Sequence, residues 1–555
     1  MSSWYKNATI YQIYIQSFKD TNGDGIGDFR GITESLAYIK SLGVNAIWIT
    51  PFFKSPLIDN GYDISDYNEV NPIFGTMEDL DELIFKAHSF GIRVIIDGVY
   101  NHTSDEHNWF EKSKQSKCND FSDFYIWRDP IDGHAPSNAG SVFGGSAWEY
   151  VEERKQYYFH LFAAKQPDLN WDNHQVREAI YDSMTFWLKK GIDGFRFDSI
   201  CFISKDQNFK QVDQLNSQGY GLNYIGTANG PNLHKYLHEM YEKVLKKYDA
   251  IAIGEASRTN SVEANLYVAP ERKELDMIFN FEPMHVDDGE NGNISDVNFK
   301  MSDLRSIYDN WEKNVPWNAL YLGNHDQPRM VSRFGDDKSY RVESAKMLAA
   351  MLYLQKGTPF IFQGDEIGMT NVNFRQLEDL KDIDADNKYR TLLNQGVGKS
   401  EALRLVKKNA RSNARTPMQW DSSIDAGFGS KNPWINVNNN YREINVEKQC
   451  NENGSILSFY QKVFTLRSSY PVFINGDFNI LNASDSSILT YTRSDEDKTM
   501  LIICSFDDHK VRFCRPSELK YNDSKLLLSN YEVSGDSVDQ VIILKPYETR
   551  VYLLQ

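Results

Sequence analysis

The chain has 555 residues, of which 41% are hydrophobic and 25% are charged, so it is a globular protein too long for a single core. Its formal net charge of -17 repels phosphate backbones and anionic lipid, so neither nucleic acid nor a membrane is an expected partner. The five cysteines lack the spacing of a disulfide framework or a zinc site, and the first residues show no signal peptide, which together predict a cytoplasmic protein with reduced thiols.

Short apolar runs rich in β-branched and aromatic residues alternate with amphipathic stretches over the first two thirds of the chain. The runs begin at Ile10, Ala46, Val94, Gly194, Ala250, Leu275, Ala319 and Thr358. Strands that alternate with helices form parallel sheets, and a count of eight favours a closed (β/α)8 TIM barrel of the α/β class over an open sheet. The first predicted helix repeats apolar residues at helical spacing from Ile32 to Leu42 and stops at Gly43.

Two segments interrupt the barrel pattern, and a third follows it. Residues 102–171 are rich in aromatics, glycine and charges, and predict a lobe inserted after the third strand. Residues 368–411 are charged and helical in pattern, and predict an excursion above the barrel mouth. The last segment alternates with period two, which predicts a C-terminal antiparallel β-sandwich over 471–555. The barrel itself is then predicted in two parts, 1–101 and 172–470.

Acidic side chains follow several predicted strands at their C-terminal ends, where the active sites of such barrels form. Asp198 ends the fourth run and Glu255 lies within the fifth, so both are expected to face one cavity. Breaking a glycosidic bond with retention of configuration requires two carboxyl groups about 5 to 5.5 Å apart. Arg196 lies on the same side of its strand as Asp198 and is expected to keep that carboxylate ionised. Acids at strand ends also form salt bridges or cap helices, and position alone leaves that alternative open.

The loop after the first predicted strand contains alternating oxygen donors in the stretch DTNGDGIGD. The expected ligands of a structural calcium ion are Asp20, Asn22, Asp24, Asp28 and the carbonyl oxygen of Ile26. Carboxylate, amide and carbonyl oxygens are what calcium prefers, and the glycines permit the tight curl that brings them together. Turns rich in Asp, Asn and Gly also form without a metal, so the spacing leaves both interpretations open.

Several segments together resemble the α-amylase family of glycoside hydrolases (glycoside hydrolase family 13), in particular its oligosaccharide α-glucosidase or oligo-1,6-glucosidase branch. In chain order they are NGYDISDY (60–67), DGVYNH (97–102), QPDLNW (166–171), GFRFD (194–198), IGEAS (253–257), NHDQPR (324–329) and NARTPMQW (413–420). The resemblance implies a (β/α)8 barrel, a lobe after the third strand and a C-terminal β-sandwich, in agreement with the pattern above. A similar loop in this branch also supports the calcium site, and no organic cofactor is expected.

The resemblance further implies a role for each residue at a matching motif position. Asp198 corresponds to the nucleophile, Glu255 to the general acid and base, and Asp326 to a third carboxylate that binds sugar hydroxyls. The side chains expected to bind substrate around them are Asp59, Tyr62, His102, Phe143, Phe162, Gln166, Arg196, Ser199, His325, Arg329 and Arg415. For the two phenylalanines, packing in the core is nearly as good an interpretation.

Asp59, Tyr62 and Arg415 match the pattern by which this branch closes the non-reducing end of its pocket. The expected enzyme is therefore an exo-acting retaining α-glucosidase that acts on small neutral oligosaccharides of the isomaltose and maltose type, with sucrose as a further substrate. A simpler alternative is an ion pair between Asp59 and Arg415 that only braces the loop. Ser199 stands where valine accompanies α-1,6 specificity, so the preferred linkage stays open.

Three other functions use the same scaffold. Sucrose isomerases carry an arginine-rich loop that the stretch FNFEPMHVDDGENG (279–292) lacks, so hydrolysis is the first expectation and transglycosylation a side reaction. A non-catalytic partner-binding relative dispenses with the carboxylates, which this chain retains. Oligomeric state cannot be inferred from the sequence.

Overall fold

The computed structural model describes residues 4–289, 292, 296–429, 432–481 and 486–555. Eight parallel strands follow one another around a barrel: β1 (Ile10–Ile13), β2 (Ala46–Ile49), β3 (Arg93–Gly98), β4 (Gly194–Phe197), β5 (Ile251–Gly254), β6 (Met277–Ile278), β7 (Ala319–Leu320) and β8 (Thr358–Phe362). Ile10 of β1 pairs with Phe360 of β8, and Phe279 just beyond β6 forms a parallel bridge with Ala319 of β7. These contacts close the ring, so the predicted (β/α)8 barrel is confirmed.

Helices cover the outside of the barrel. They are Phe29–Glu34, Leu36–Ser41, Met77–Ser89, His174–Lys190, Leu233–Met240 with its π-helical continuation Tyr241–Leu245 and Lys246–Tyr248, Ser261–Val268, Met301–Asn314, Met330–Phe334, Arg341–Tyr353 and Ile456–Ser469. The first pair differs from the single helix predicted there. The hydroxyl of Ser35 donates to the Gly31 carbonyl at 2.8 Å and so competes with the helical hydrogen bonds at the break.

The lobe between β3 and β4 contains one helix, Asn108–Gln115, and a three-stranded antiparallel sheet. In sheet order its strands are Trp127–Arg128, Gln156–Phe159 and Trp148–Val151. Its core is aromatic, with the rings of Phe110 and Trp127 stacked 5.7 Å apart. The loop that follows β4 packs on the lobe, since the Gly221 N–H donates to the Asn138 carbonyl at 2.7 Å. The sequence did not indicate this second layer over the lobe.

After β8 the chain forms an excursion before it returns to the barrel. Its helices are Ile383–Asn394 and Lys399–Asn409. They pack through an apolar cluster of their own, which includes the buried Leu392 and Val406. This cluster explains how a strongly charged segment keeps a defined shape above the barrel.

The C-terminal domain consists of two antiparallel sheets. One has five strands, Asp477–Leu481, Ile488–Ser494, Thr499–Ser505, Thr549–Leu554 and Ser524–Ser529, and the other pairs Val511–Cys514 with Val541–Leu544. Ile503 of the first sheet and Phe513 of the second belong to one buried cluster. The predicted β-sandwich is therefore confirmed. In the described part of the chain, no helix has the length and apolar character needed to cross a membrane.

Candidate active site

A cavity of about 570 Å³ opens at the C-terminal ends of the barrel strands. Asp198, Glu255 and Asp326 line its floor, Phe143 of the lobe lines one side, and Asp384 of the excursion lines another. A cavity of about 790 Å³ lies at the opposite end of β5 and contains none of the predicted site residues. The chemistry therefore belongs to the smaller cavity, where the strand ends bring acidic side chains together.

Arg196 joins three carboxylates beneath this cavity. Its Nη1 lies 2.6 Å from Asp97 Oδ1 and 2.8 Å from Asp198 Oδ1, and its Nη2 lies 2.8 Å from Glu255 Oε2. Retaining glycosidases hold their two carboxyls about 5 to 5.5 Å apart, and inverting ones about 6.5 to 9.5 Å apart to make room for a water molecule. Asp198 and Glu255 contact neighbouring nitrogens of one guanidinium, an arrangement compatible with the shorter spacing.

The turn after the β4 strand fixes Glu255 against Asp198. Ser199 has a φ of 48°, in the left-handed region that non-glycine residues seldom occupy. In this conformation its N–H donates to Glu255 Oε2 at 2.9 Å, and the next N–H, of Ile200, donates to the Glu255 carbonyl at 3.1 Å. Backbone strain next to a reacting group persists where the surrounding contacts enforce it. Here the strain positions the proposed acid relative to the proposed nucleophile.

Burial raises the pKa of both Asp198 and Glu255, and the Arg196 cation opposes that rise in each. The negative charges of Asp198 and Asp326 raise the pKa of Glu255 further. When two adjacent carboxyls cannot both ionise, the one with the higher pKa keeps the proton. Glu255 is therefore the protonated partner and Asp198 the carboxylate, which are the states that a general acid and a nucleophile require.

Asp326 follows β7 and is bound by two guanidinium groups. Arg415 Nη2 lies 2.6 Å from Asp326 Oδ1, and Arg411 Nη1 lies 3.5 Å from the same oxygen. Burial alone would favour the acid form, but the guanidinium groups of Arg415 and Arg411 outweigh it and keep the pKa of Asp326 below its usual range. Burial also lowers the pKa of His325 to about 3, so that ring is neutral and the arginines supply the charge. Asp326 is thus an ionised carboxylate that can accept hydrogen bonds from hydroxyl groups.

Asp59 and Arg411 form the far wall of the cavity, with Arg411 Nη2 at 3.2 Å from Asp59 Oδ1. The alternative, an ion pair between Asp59 and Arg415, is wrong, because Arg415 donates to the His325 carbonyl at 2.9 Å and to Asp326. Arg411 was not predicted to be part of the site. It precedes Arg415 by four residues in a short helical segment, and only folding showed which of the two arginines meets Asp59.

Arg411 also contacts side chains of the excursion and of the lobe. Its guanidinium forms an ion pair with Asp382 of the excursion and lies 5.5 Å from the ring centroid of Phe143 in the lobe. Phe143 in turn packs against Phe162, with centroids 6.0 Å apart, and both rings line the cavity. The barrel, lobe and excursion therefore meet at one buried cation.

Two neutral histidines support the wall. Tyr62 Oη lies 2.6 Å from His325 Nε2, and the two rings are parallel with centroids 5.4 Å apart. His102 Nε2 lies 3.0 Å from the Tyr62 carbonyl. Gln166 Nε2 donates to Asp59 Oδ2 and to the Tyr62 carbonyl, both at 3.2 Å. His102 and Tyr62 line the cavity, whereas Gln166 and His325 lie behind its surface and orient them.

Arg329 is not brought into the site. It is buried, and its guanidinium donates to the Gln363 carbonyl at 2.6 Å and to the Ala414 carbonyl at 3.1 Å. It therefore fixes the chain behind β8, and the expectation that it binds substrate is corrected. Arg329 was suggested by its place at the end of the motif NHDQPR. The chain turns at Asp326, and Arg329 is buried in the core.

The mouth of the cavity is built from residues that the sequence did not indicate. They are Val142, Asn223, Arg258, Met284, His285, Asp288, Gly292, Gln327, Asp384 and Lys388. Most belong to loops and to the excursion, whose residues have no periodic pattern that would indicate which face points inward. Glu290 and Asn291 of the stretch 279–292 lie outside the described residues.

The predicted calcium loop is curled around its own side chains. Asp20 accepts from the N–H groups of Gly23 at 2.7 Å and Gly25 at 3.0 Å, and Asp28 Oδ1 accepts from Gly31 N at 2.7 Å as the cap of the first helix. Asn22 Oδ1 accepts from Asp24 N at 2.9 Å. The donors are all oxygens, the type that calcium prefers, but among the described residues the carboxylates of Asp20, Asp24 and Asp28 do not come within 4.8 Å of one another as a group. The same amide bonds also stabilise the loop without an ion, so calcium binding stays a prediction.

A TIM barrel with paired carboxyls and an arginine at these strand ends defines a glycoside-cleaving enzyme. The family model described as alpha amylase, catalytic domain, matches residues 12–476. The chain is 46% identical to the oligo-1,6-glucosidase of Bacillus cereus, over 100% of this chain and 99% of that one. It also superimposes on crystal structures of Bacillus licheniformis trehalose-6-phosphate hydrolase (43% identity, TM-score 0.94) and Klebsiella sp. isomaltulose synthase (40%, TM-score 0.95), with both chains fully covered in each case. The chain therefore belongs to the α-amylase family of glycoside hydrolases, and it is a hydrolase of O-glycosidic bonds.

Proposed function

We propose that the protein is an exo-acting retaining α-glucosidase that releases glucose from the non-reducing end of short α-glucosides. The observation that carries this proposal is the far wall of the cavity. Asp59 and Tyr62 are 5% and 6% exposed, and the Asp59–Arg411 ion pair lines the same cavity as Asp198. A wall of this kind accommodates the terminal hydroxyls of one glucose and stops a longer chain from passing.

The proposed reaction is a double displacement. Asp198 attacks the anomeric carbon and forms a covalent glucosyl–enzyme, while Glu255 transfers its proton to the glycosidic oxygen and the leaving sugar departs. Glu255, now a carboxylate, takes a proton from a water molecule that attacks the same carbon, so glucose leaves with its original configuration and Asp198 is restored. Asp326 accepts hydrogen bonds from ring hydroxyls, and these strengthen as the ring distorts toward the transition state.

We infer that α-1,6-linked isomaltose-type sugars are the main substrates, because relatives of over 45% identity along the whole chain are named oligo-1,6-glucosidases. Ser199 lines the cavity next to Asp198. Its side chain is small and polar, which leaves room for other leaving groups. Maltose and sucrose are therefore expected as secondary substrates.

Charge favours an unphosphorylated sugar. Among the described residues that line the cavity, the acids are Asp59, Asp198, Glu255, Asp288, Asp326 and Asp384, against the permanent cations Arg258, Lys388 and Arg411. Lys388 is already paired with Asp384 at 2.6 Å, and Arg411 with Asp59. A phosphate group would meet a surplus of negative charge, so a disaccharide phosphate is expected to bind poorly.

We also propose that the loop of Asp20, Asn22, Asp24 and Asp28 binds a structural calcium ion, with the Ile26 carbonyl as the backbone ligand. The oxygen donor set described above supports it. The loop follows β1 and caps the first helix through Asp28, so an ion there would brace the fold and take no part in the chemistry. The cytoplasmic location stays a prediction from the sequence.

A product assay tests the proposed function. Isomaltose, maltose, panose, sucrose and trehalose are supplied separately, and the sugars released are identified by chromatography, with the glucose anomer followed by NMR. The expected result is release of α-glucose from isomaltose and panose, with slower release from maltose and sucrose. A maltooligosaccharide blocked at its non-reducing end is the control and is expected to resist cleavage. Cleavage of the blocked chain would overturn the exo assignment, and initial release of β-glucose from panose or sucrose, whose leaving groups are not glucose, would overturn retention.

Sucrose isomerisation is the second candidate, because isomaltulose synthase has the same fold over its whole length. The sucrose arm of the assay distinguishes the two. Glucose with equimolar fructose indicates hydrolysis, and a new disaccharide with little free fructose indicates isomerisation. Transglycosylation would appear as trisaccharides whose yield rises with sugar concentration.

A further inference from the structure

Lys205 is a buried lysine seven residues beyond the nucleophile, outside the matched motifs. Its side chain is 1% exposed, and its ammonium lies 2.7 Å from Asp168 Oδ2, whose side chain is fully buried. The ammonium also donates to Asn101 Oδ1 at 2.9 Å and to the Phe202 carbonyl. The oxygens around it come from three segments. Asn101 follows β3, Asp168 lies where the chain returns from the lobe to the barrel, and Phe202 is in the loop after β4. Burying a lone charge is costly, and here the three oxygens compensate it.

The contact with Lys205 determines which way the Asn101 amide faces. An ammonium group only donates hydrogen bonds, so the Asn101 atom beside it is the carbonyl oxygen. The Nδ2 of Asn101 then faces the other way, where it donates to Asp168 Oδ2 at 3.1 Å and lies 3.2 Å from His102 Nδ1. The Asn101 amide is therefore held at both ends.

The orientation of Asn101 in turn determines the protonation of His102. Burial lowers the pKa of His102, so the ring is neutral near pH 7 and carries one proton. Nδ1 accepts from the Asn101 amide, which leaves that proton on Nε2. The Nε2–H donates to the Tyr62 carbonyl at 3.0 Å. Gln166 Nε2 lies 3.2 Å from the same ring nitrogen, but its two hydrogens are directed to Asp59 Oδ2 and to the Tyr62 carbonyl. The opposite tautomer would place the Nε2 lone pair against that carbonyl oxygen.

We propose that Lys205 is a positioning residue, which orients the Asn101 amide and thereby keeps the proton of His102 on Nε2, at the wall of the glucose pocket. The effect on catalysis rests on the proposed function, in which His102 binds the glucose next to Asp198. The Nε2–H is then shared between the Tyr62 carbonyl and a sugar oxygen that accepts a hydrogen bond. Loss of the ammonium frees the Asn101 amide to turn over, and the pocket then contains a mixture of donor and acceptor histidines.

Nitrogen NMR of the histidine side chains tests the tautomer directly. The chain has 11 histidines, and replacement of His102 by glutamine identifies its signals. In the wild-type enzyme, His102 is expected to show an unprotonated Nδ1 and a protonated Nε2 near pH 7. A proton on Nδ1, or on both nitrogens, would overturn the proposal. This readout does not depend on turnover, so it stands or falls separately from the choice of substrate.

Three variants test the chain of contacts. Lys205→Met keeps the aliphatic stem and is expected to give a mixture of His102 tautomers and at least a tenfold loss of kcat/KM, mainly through KM. Lys205→Arg retains hydrogen-bond donors at this position, so it is expected to recover part of the wild-type tautomer and part of kcat/KM. Asn101→Asp replaces the donor beside Nδ1 by an acceptor and is expected to place a proton on Nδ1. If the Lys205→Met protein does not fold, the proposal is tested by the His102 spectra of the wild-type and Asn101→Asp proteins.

Lys165→Met is the matched control. Lys165 forms an ion pair of the same length, 2.7 Å, with Asp105, but its side chain is 56% exposed. Removing it is expected to leave both the His102 signals and kcat/KM within about twofold of wild type, as for most exposed ion pairs. An unchanged His102 spectrum in folded Lys205→Met would show that Lys205 is only structural and would contradict the proposal.

Discussion

Replacing Arg196 by methionine removes the cation that Asp97, Asp198 and Glu255 share. All three contacts are 2.6 to 2.8 Å long, and the arginine side chain is 1% exposed, so water screens them little. At an effective dielectric constant of about 20, opposite unit charges about 4 Å apart attract by about 4 kcal/mol. For one carboxyl this corresponds to about a thousandfold change in the ionisation equilibrium.

The direction of the effect follows from the buried carboxyls. Burial already raises the pKa of Asp198, and without Arg196 it rises further. A group whose pKa is higher in the folded than in the unfolded state binds its proton more tightly when folded. The Arg196→Met protein is therefore expected to lose free energy of unfolding as the pH rises above about 4, the value for an unfolded aspartate, and by about 3 to 5 kcal/mol near neutrality.

The assay is kcat/KM for p-nitrophenyl α-glucoside between about pH 4 and about pH 9, with thermal unfolding measured over the same range. The acid limb of this profile reports the carboxylate that must be ionised in the free enzyme. In Arg196→Met it is expected to move to higher pH, with at least a hundredfold loss of kcat/KM at pH 6. Arg196→Lys keeps the positive charge but lacks the planar guanidinium that contacts several carboxyls at once. Its acid limb and its kcat/KM should therefore lie between those of wild type and Arg196→Met. An acid limb that coincides with that of wild type, in a folded variant, would refute this account of Arg196.

Four further outcomes follow from the site. Asp198→Asn should abolish turnover while leaving Tm within a few degrees of wild type, and near-normal turnover would contradict its role. Glu255→Gln should lose the alkaline limb of the pH profile, and azide should restore release of p-nitrophenol with formation of an α-glucosyl azide; a β-azide would reverse the assignments of the two acids. Arg411→Met should lower kcat/KM at least tenfold, about 1.4 kcal/mol, since Asp59 and Asp382 lose their buried cation, and unchanged kinetics would exclude Arg411 from the pocket. Calcium at about 100 times its Kd should stabilise the protein by about 2.7 kcal/mol and raise Tm, and Asp24→Ala should remove that rise; an equal response of the variant would place the ion elsewhere.

Much of the barrel was predictable because its cause is local. Runs of β-branched and aromatic residues followed by amphipathic stretches define strands and helices, and parallel strands align their C-terminal ends. That alignment is sufficient to bring Asp198 and Glu255 to one edge, although 57 positions separate them in the chain. The spacing of Arg196 and Asp198 on one strand likewise predicted an ion pair, which the structure contains at 2.8 Å.

The errors arose where function depends on contacts between distant segments. Arg411 and Arg415 have the same chemistry and lie four residues apart, so only the packing of the excursion decided that Arg411 meets Asp59. Arg329 is a cation within a motif that also contains Asp326, and it was therefore expected to bind substrate. Its guanidinium instead donates to the Gln363 carbonyl behind β8. The residues at the mouth of the cavity lie in loops. Loop sequences have no regular spacing of apolar residues, so they do not indicate which side chains face the cavity.

The sequence by itself determined the barrel, because strand periodicity is a local property of the chain. It also determined the family and the pair of carboxyls, through the set of motifs that carry the resemblance. The tertiary structure alone decided the protonation pattern and the closed wall. A proton settles on Glu255, and Arg411 closes the pocket, only when burial removes water and brings charges from separate strands, the lobe and the excursion within a few ångströms of one another.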